Sequence, residues 1–246
     1  MDNVCIIGCG RQGTAAAYDI LLYNKPKNLL LLDISKDSLK LCNSKIKNVI
    51  SDSTLVSNQV IDFEDTNKLI SILSDYDIML SAVPYPLNPL LTKIAVKSEI
   101  SMVDLGGHTQ NVIEQLKYDE QAKQSNITIV PDCGMGPGMN ITMACLAIEK
   151  FDIAEDIYIW DGGLPQNPKP PWNYSLFFNI KGLTNEYDGD AYFLRNSKIE
   201  RVSCFDDLEN LYFDNIGELE AAVTSGGLST MPWTFEGKLK TLENKT

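Results

Sequence analysis

The fold is decided by one stretch near the start of the chain, Val4-Cys5-Ile6-Ile7-Gly8-Cys9-Gly10-Arg11-Gln12-Gly13. Its first four residues are apolar and mostly β-branched, which predicts a short buried strand. In the G-x-G-x-x-G spacing that follows, Gly8 permits a tight turn, Gly10 admits a pyrophosphate, and Gly13 lets a helix lie close to the strand. Because a helix N-terminus presents free N–H groups, we expect a phosphate-binding loop in which Arg11 and Gln12 also contact the cofactor.

The residue that ends the second predicted strand points to the identity of this cofactor. Asp33 lies 20 residues beyond Gly13, where a carboxylate accepts the ribose hydroxyls of an adenosine. A carboxylate there repels a 2′-phosphate, so we expect NAD rather than NADP. The alternative interpretation is a glycine turn in an unrelated α/β protein.

Charge and composition limit the classes of partner. The chain has 246 residues, of which 44% are hydrophobic and 22% charged, as in ordinary globular proteins. Its net charge of −12 argues against a nucleic-acid surface, and no cluster of lysines and arginines offsets it. No apolar run approaches the roughly 20 residues that span a membrane.

The cysteines and the start of the chain suggest a location. Six cysteines are scattered without a C-x-x-C pair, and there is one histidine, so a structural zinc site or other metal site is not expected. No basic, apolar leader precedes the first strand. Reduced thiols and a cytoplasmic location are therefore expected.

The rhythm of strands and helices predicts an α/β fold with a Rossmann-type doubly wound parallel sheet in residues 1–150. Each predicted strand is followed by a helix, and Pro137 is expected in the first turn of the last helix. The predicted strands are residues 4–7, 29–32, 59–63, 77–83, 100–104 and 126–130, and the predicted helices are residues 14–22, 35–46, 65–73, 90–97, 111–124 and 139–150.

The alternation stops near residue 150. Residues 151–246 are predicted to form an α+β domain with a mainly antiparallel sheet, which serves the substrate and dimerisation. The predicted strands here are residues 153–161, 173–180, 191–195 and 199–205, with residues 219–224 less clear. A homodimer or higher homo-oligomer through this sheet is expected.

Several segments together resemble one family. They are residues 8–19, residues 130–139 (VPDCGMGPGM), residues 162–168 (GGLPQNP) with residues 171–174 (PWNY), and residues 224–230 (TSGGLST). They are similar to the saccharopine dehydrogenase-like amino-acid dehydrogenases, and within that family to the lysine 6-dehydrogenase group. The family's members continue past the point that matches Thr246, so a C-terminal truncation is expected.

The resemblance implies an NAD-dependent oxidoreductase acting on CH–NH2 or CH–NH groups. Its implied substrate is a small amino acid, with oxidative deamination of the lysine ε-amine. Two alternatives stay open, a saccharopine dehydrogenase or reductase and a non-catalytic NAD-binding relative.

Amine oxidation needs a group that takes the proton of the substrate ammonium. Asp104 ends the fifth strand and can act as base or steer the ammonium, or it can instead cap the following turn. His108 has a side chain whose ordinary pKa suits proton transfer, but a lone loop histidine is more often a hydrogen-bonded surface residue. Cys133 can contact substrate or nicotinamide, or it can be a small packed residue.

Other residues are candidates for binding. Val83 ends the fourth predicted strand and Pro84 follows it. Both are expected to line the cofactor path, unless this segment is only a turn that starts the next helix. Gly134, Gly136 and Gly138 are expected to permit close backbone approach near the cofactor rather than form a second phosphate loop. Four donors in the second domain are suited to a carboxylate or amine, or alternatively to local hydrogen bonds: Asn173, Tyr174, Ser225 and Thr230.

Overall fold

A computed structural model of the protein describes residues 2–246. The chain forms two compact units. The first contains the described residues through Leu105 together with Asn111–Pro131, and the second contains Gly106–Gln110 and Asp132–Thr246. Within residues 2–246, no helix is both long enough and apolar enough to span a bilayer.

The first unit is built on a parallel sheet of six strands. The strands are β1 (Asn3–Ile7), β2 (Asn28–Asp33), β3 (Leu55–Val60), β4 (Ile78–Ser81), β5 (Ser101–Asp104) and β6 (Ile129–Val130). Their spatial order is β3-β2-β1-β4-β5-β6. This is the doubly wound order, with its switch point between β1 and β4, so the predicted fold is confirmed.

Helices connect these strands. They are α1 (Arg11–Asp19), which continues as a π-helical turn (Ile20–Asn24), α2 (Lys36–Ile46), α3 (Thr66–Leu73), α4 (Asn88–Ser98), α5 (Thr109–Leu116) and α6 (Asp119–Gln124). The N-caps of α2 and α3 are Ser35 and Asp65, whose side chains accept from the backbone N–H groups of Ser38 and Lys68. The sheet therefore has helices on both faces, as the alternation of elements requires.

Alternating side chains of β1 enter different cores. Cys5 and Ile7 belong to the core that contains residues of α3 and α4. Val4 and Ile6 belong to the core that contains residues of α1 and α2. Both faces of β1 are thus buried, which explains why its sequence is apolar throughout rather than alternating.

Two assignments in this unit differ from the sequence prediction. The third strand is Leu55–Val60 rather than residues 59–63. Ile61 and Phe63 are buried just beyond the end of β3. Their alternating apolar side chains gave residues 59–63 the pattern of a strand. The helix predicted over residues 111–124 is divided into α5 and α6.

The second unit has a mixed, mainly antiparallel sheet. Its strands are β7 (Asp156–Trp160), β8 (Asp190–Arg195), β9 (Lys198–Ser203) and β12 (Thr241–Lys245), in the order β7-β12-β8-β9. Only the β7–β12 pair is parallel, and β10 (Glu209–Phe213) and β11 (Gly217–Ala221) form a separate antiparallel hairpin. The unit also contains α7 (Met139–Ile148), α8 (Ile180–Glu186) and α9 (Met231–Phe235).

The second core explains where the units divide. Ala144 of α7 is buried among residues of β8, β9 and β12, such as Phe193, Val202 and Leu242. The main segment of the second unit therefore begins at Asp132, earlier than the predicted boundary near residue 150, and Gly106–Gln110 also belongs to this unit.

Two local predictions in this unit are wrong. Pro137 lies before Gly138, the N-cap of α7, and not in the first turn of that helix. Residues 173–179 form no strand, and α8 begins at Ile180. This segment is apolar, but several of its side chains are exposed, so no sheet face requires its alternation.

Candidate functional site

The glycine loop of the first unit has the three steric properties that its spacing predicts. Gly8 has φ +92°, and a Cβ there would lie 2.7 Å from the Ala82 carbonyl oxygen. A Cβ on Gly13 would lie 1.8 Å from the Gly8 carbonyl oxygen. A Cβ on Gly10 would meet no atom within 4 Å. The loop is thus closely packed at Gly8 and Gly13 and open at Gly10, which is the position where a pyrophosphate approaches.

The start of α1 is available to an anion. Gly10 is the N-cap of this helix, and no side chain caps it. Arg11 and Gln12 are exposed in its first turn. The N–H groups of the first turn have no partner within an α-helix, and they carry the positive end of the helix dipole. This arrangement suits a phosphate and fits the predicted roles of Arg11 and Gln12.

Asp33 links the end of β2 to the glycine loop. Its Oδ2 accepts from the Cys9 N–H at 2.7 Å, and its Oδ1 accepts from the Ser35 N–H at 2.7 Å. The side chain is buried, with 8% of its surface exposed. A carboxylate has about four acceptor positions, so two positions remain for ribose hydroxyls. Asp33 therefore fixes the loop as well as offering the expected ribose contact.

The other predicted residues of this unit lie beyond neighbouring strands. Val83 contacts the loop, since its Cγ1 would be 3.0 Å from a Cβ on Gly8. Pro84 is exposed and precedes a 3-10 turn, Tyr85–Leu87. Because both follow β4 at the switch point next to β1, their positions agree with the predicted cofactor path.

Asp104 is fully buried, with 0% of its surface exposed. Its Oδ2 accepts from Gln115 Nε2 at 2.7 Å, and the same Nε2 donates to Thr92 Oγ1 at 2.9 Å. The bond from Gln115 joins the end of β5 to α5, and the buried carboxylate presents no surface to a substrate, which argues against the expected role of Asp104 as base.

In the second unit, the loop that carries His108 is held by two other segments. A Cβ on Gly106 would lie 2.1 Å from Asp132 Oδ1, so this glycine packs directly on that carboxylate. Asn185 Nδ2 donates to the Gly107 carbonyl at 2.5 Å. The loop that carries His108 therefore packs, through Gly106, against the segment that contains Asp132 and the exposed Cys133.

The glycines of residues 134–138 approach their own surroundings closely. A Cβ on Gly138, which has φ +138°, would lie 2.2 Å from the Gly134 carbonyl oxygen. A Cβ on Gly136 would lie 1.9 Å from Asp161 Oδ2. The second contact places the carboxylate of Asp161, just after β7, against this glycine-rich turn.

A set of amides holds Asp161 in place. Asn244 Nδ2 donates to Asp161 Oδ1 at 2.9 Å, and Asn140 Nδ2 donates to Asn244 Oδ1 at 2.8 Å. Burial raises the pKa of Asp161, while the hydrogen bonds from Asn244 and Thr246 oppose that shift. The carboxylate is thus fixed by neutral donors rather than by a cation.

Glu186 is the second carboxyl group of this region. Burial, and then the charge of Asp161, raises the pKa of Glu186 to about 7. Among residues 2–246, the Glu186 carboxyl has neither a hydrogen-bond donor nor a cation as partner. A carboxyl group in this setting binds a proton or a cation readily and exchanges a proton near neutral pH.

The backbone at Glu186 is fixed by a residue that the sequence analysis assigned to substrate. Ser225 Oγ donates to the Asn185 carbonyl at 2.6 Å, and the Ser225 N–H donates to the Glu186 carbonyl at 2.8 Å. Ser225 therefore positions the end of α8.

Of the three remaining residues predicted to bind substrate, only Tyr174 lies near Glu186. Tyr174 is close enough to Glu186 that burial, followed by the glutamate charge, raises the pKa of its phenol. Asn173 is exposed, with φ 52° in the loop before Tyr174. Thr230 is the N-cap of α9 but makes no side-chain cap bond.

Sequence reasoning missed Asp161 and Glu186. Asp161 immediately precedes the GGLP segment of residues 162–165, and its position at a strand end was a usable signal. Glu186 lies in a polar run, residues 184–190, that contains no recognisable catalytic or binding motif. Its environment arises from β7, the 134–138 turn and α8, which are distant in sequence.

The fold and the glycine loop of the first unit are those of a Rossmann-type dinucleotide-binding domain. Residues 4–130 match the saccharopine dehydrogenase NADP-binding domain. The chain belongs to this family, so the family resemblance is confirmed, and its cofactor class is a nicotinamide dinucleotide.

Characterised relatives of the chain are consistent with this family membership. Alpha-aminoadipic semialdehyde synthase of Rattus norvegicus is 27% identical over 146 residues, which cover 56% of this chain and 15% of that protein. Saccharopine dehydrogenase [NADP(+), L-glutamate-forming] of Saccharomyces cerevisiae is 24% identical over 152 residues, which cover 59% of this chain and 33% of that protein.

A solved structure shares the fold of the whole chain. It is the apo saccharopine dehydrogenase (L-Glu forming) of Saccharomyces cerevisiae, with a TM-score of 0.76 at 17% identity. The match covers 100% of this chain and 55% of the solved chain. The chain thus spans about half the length of that protein.

Proposed function

We propose that the protein is an amino-acid dehydrogenase that deaminates the ε-amine of lysine oxidatively with NAD. The observation that carries the choice of an amine substrate is the pair formed by Glu186 and Asp161. Two carboxyl groups that have no cationic side chain as partner among residues 2–246 suit a substrate ammonium.

The chemistry assigns each residue a task. NAD, when bound, supplies the acceptor for the hydride that leaves the amine-bearing carbon. Glu186 takes the proton of the ammonium, which frees the nitrogen lone pair that expels the hydride. Asp161 attracts the cationic substrate and keeps the pKa of Glu186 close to the working pH. His108, expected to transfer a proton, and Cys133, expected to contact substrate or nicotinamide, also lie in the second unit. Neither is required for the proton transfer by Glu186.

The product distinguishes the proposal from its main alternative. Lysine alone is expected to reduce NAD and release ammonia, measured by nicotinamide absorbance and an ammonia assay. Reduction that requires saccharopine instead would favour a saccharopine dehydrogenase, which the family membership supports equally. Cofactor binding without reduction by either substrate would favour a non-catalytic relative.

The choice between NAD and NADP depends on Asp33. The family description and the name of the yeast relative both specify NADP. We nevertheless propose NAD, since the buried Asp33 carboxylate would face the 2′-phosphate of NADP. Tighter binding of NADP than of NAD would contradict this proposal.

Replacing Asp33 by alanine is expected to weaken NAD binding by about 10- to 100-fold, because a ribose contact is lost and the Cys9 N–H loses its acceptor. NADP binding is expected to fall less, since the same change removes charge repulsion. Fluorescence titration with both reduced cofactors measures the ratio. The exposed Asp75 gives a matched Asp75→Ala control, which should leave both affinities unchanged.

A cytoplasmic location and a homo-oligomer stay predictions from the sequence. The roles of the units also stay proposals, with cofactor binding assigned to the first and substrate binding and dimerisation to the second.

A further inference from the structure

Two buried amide side chains, Asn140 and Asn244, form a relay that ends on Asp161 within the second unit. Asn140 has 8% of its surface exposed and Asn244 has 1%. Buried amides require partners of the correct polarity at both Oδ1 and Nδ2, so their contacts reveal which way each amide points. Asp161 itself is only partly buried, so a ligand can reach the end of this amide relay.

Three backbone groups fix the orientation of the Asn140 amide. Its Oδ1 accepts from the N–H groups of Gly138 at 3.0 Å and Ile141 at 2.7 Å. Its Nδ2 donates to the Gly227 carbonyl at 3.0 Å. Because a backbone N–H only donates and a backbone carbonyl only accepts, turning this amide by 180° would place donor against donor and acceptor against acceptor.

The orientation of Asn140 in turn determines that of Asn244. Asn140 Nδ2 also donates to Asn244 Oδ1 at 2.8 Å, which leaves Asn244 Nδ2 to donate to Asp161 Oδ1 at 2.9 Å. A Cβ on Gly227 would lie 2.9 Å from both Cγ and Nδ2 of Asn244, so this glycine packs against the amide. Asp161 therefore meets a donor that cannot be exchanged for an acceptor.

This fixed donor favours the ionised form of Asp161. A proton on Oδ1 would face the Asn244 N–H, whereas a carboxylate oxygen accepts from it. Burial raises the pKa of Asp161, and the bond from Asn244 opposes that rise. Among residues 2–246, no cationic side chain supplies a countercharge to this carboxylate. The amide relay thus maintains an acceptor whose charge is left for a ligand to neutralise.

We propose that Asn140 and Asn244 are positioning residues that make the amine site specific for a primary ammonium over a neutral hydroxyl group of similar size. Resting on the proposed function, this role assigns the ε-ammonium of lysine to Asp161 and its deprotonation to Glu186. A carboxylate kept as an acceptor binds an ammonium through charge and hydrogen bonding together. It offers a hydroxyl group only the weaker bond to a neutral donor.

Isothermal titration calorimetry of the full chain without NAD tests this selectivity. The ligands are lysine and 6-hydroxynorleucine, in which a hydroxyl group replaces the ε-ammonium. Asn244→Leu removes the donor to Asp161 with little change of size or charge. We expect its affinity for lysine to fall about tenfold, the effect of one hydrogen bond to a charged group, while its affinity for 6-hydroxynorleucine stays the same. The control Asn215→Leu, in an exposed turn, should bind both ligands as the natural chain does.

Gly227→Ala provides a second variant, which decides the matter if Asn244→Leu does not fold. Its Cβ would displace the Asn244 amide, while every donor and acceptor of the amide relay is kept. We expect the same selective loss of lysine affinity, by about threefold, which is the low end of the effect of one hydrogen bond.

The two ligands separate a positioning role from a structural one. Equal loss of affinity for lysine and for 6-hydroxynorleucine would mean that the amides only support the fold, and it would overturn the proposal. A natural chain that binds lysine no more tightly than 6-hydroxynorleucine would overturn it as well. Lysine that binds with the expected selectivity but does not reduce NAD would support the amide relay and contradict only the dehydrogenase function.

Discussion

Replacing Gly13 by alanine is expected to destabilise the protein by about 2 kcal/mol or more and to prevent dinucleotide binding. The added Cβ would lie 1.8 Å from the Gly8 carbonyl oxygen, which is backbone and cannot rotate away. Either α1 or the loop after β1 must move. Alanine gains about 1 kcal/mol in a helix interior, so the expected loss is what remains after that gain. Urea unfolding measures it.

Gly10 provides the matched variant. It has φ −71° and ψ −158°, which alanine adopts without strain, and its Cβ would meet no atom within 4 Å. Gly10→Ala should therefore keep the stability of the natural chain. Its methyl group would occupy the space where the pyrophosphate approaches, so we expect NADH binding to weaken on the order of 100-fold. Equal stability of the Gly13 and Gly10 variants would contradict the packing argument.

The contrast between these glycines shows why the first unit was predictable. The steric demands on the β1 turn come from residues within a few positions of one another and from β4, which pairs with β1. The spacing of Gly8, Gly10 and Gly13 records those demands locally. Likewise, the apolar runs of β1 and β2 follow from burial on both sheet faces, so they predict the sheet.

The second unit was less predictable because its elements depend on distant partners. β12 (Thr241–Lys245) has a largely polar sequence, yet Asn244 and Lys245 are buried through their hydrogen bonds to Asp161 and to the Asp207 carbonyl. No hydrophobic alternation marks such a strand. Conversely, residues 173–180 have strand-like composition but no neighbouring strand.

The candidate amine site likewise depends on residues that are distant in sequence. Neither Asp161 nor Glu186 belongs to a recognisable motif, and their effect on each other requires the end of β7 to lie near the end of α8. The raised pKa of Glu186 is therefore a property of the folded unit. The signals in the sequence were the close approach expected at Gly134, Gly136 and Gly138, of which Gly136 packs on Asp161, and the position of Asp161 at a strand end.

Replacing Glu186 by glutamine is expected to lower kcat with lysine by about 100-fold or more, because the variant cannot take the ammonium proton. In the natural chain, kcat/KM should rise with pH through about 7, the pKa of Glu186, as the basic form appears. The variant should lose this rise while its affinity for NADH stays unchanged. Steady-state kinetics from pH 5 to about pH 9 measure both effects.

The same variant should also become more stable at alkaline pH. The folded-state pKa of Glu186, about 7, is above its ordinary value of 4.5, so the folded chain binds the extra proton between those values. Stability from this group is thus full below pH 4.5 and is lost as the pH rises through 7. Glutamine removes the loss, by about 1–2 kcal/mol after allowance for solvent screening.

A control on the same segment separates this effect from general charge reduction. Asp188 is exposed two residues after Glu186, and Asp188→Asn should change neither the pH dependence of stability nor kcat. A Glu186→Gln chain whose unfolding free energy differs from the natural chain by the same amount at pH 5 and pH 9 would show that Glu186 is an ordinary surface carboxylate. The predicted gain exists because the Glu186 carboxyl is partly buried near the charge of Asp161 and has no cation as partner among residues 2–246, so its ionisation costs stability.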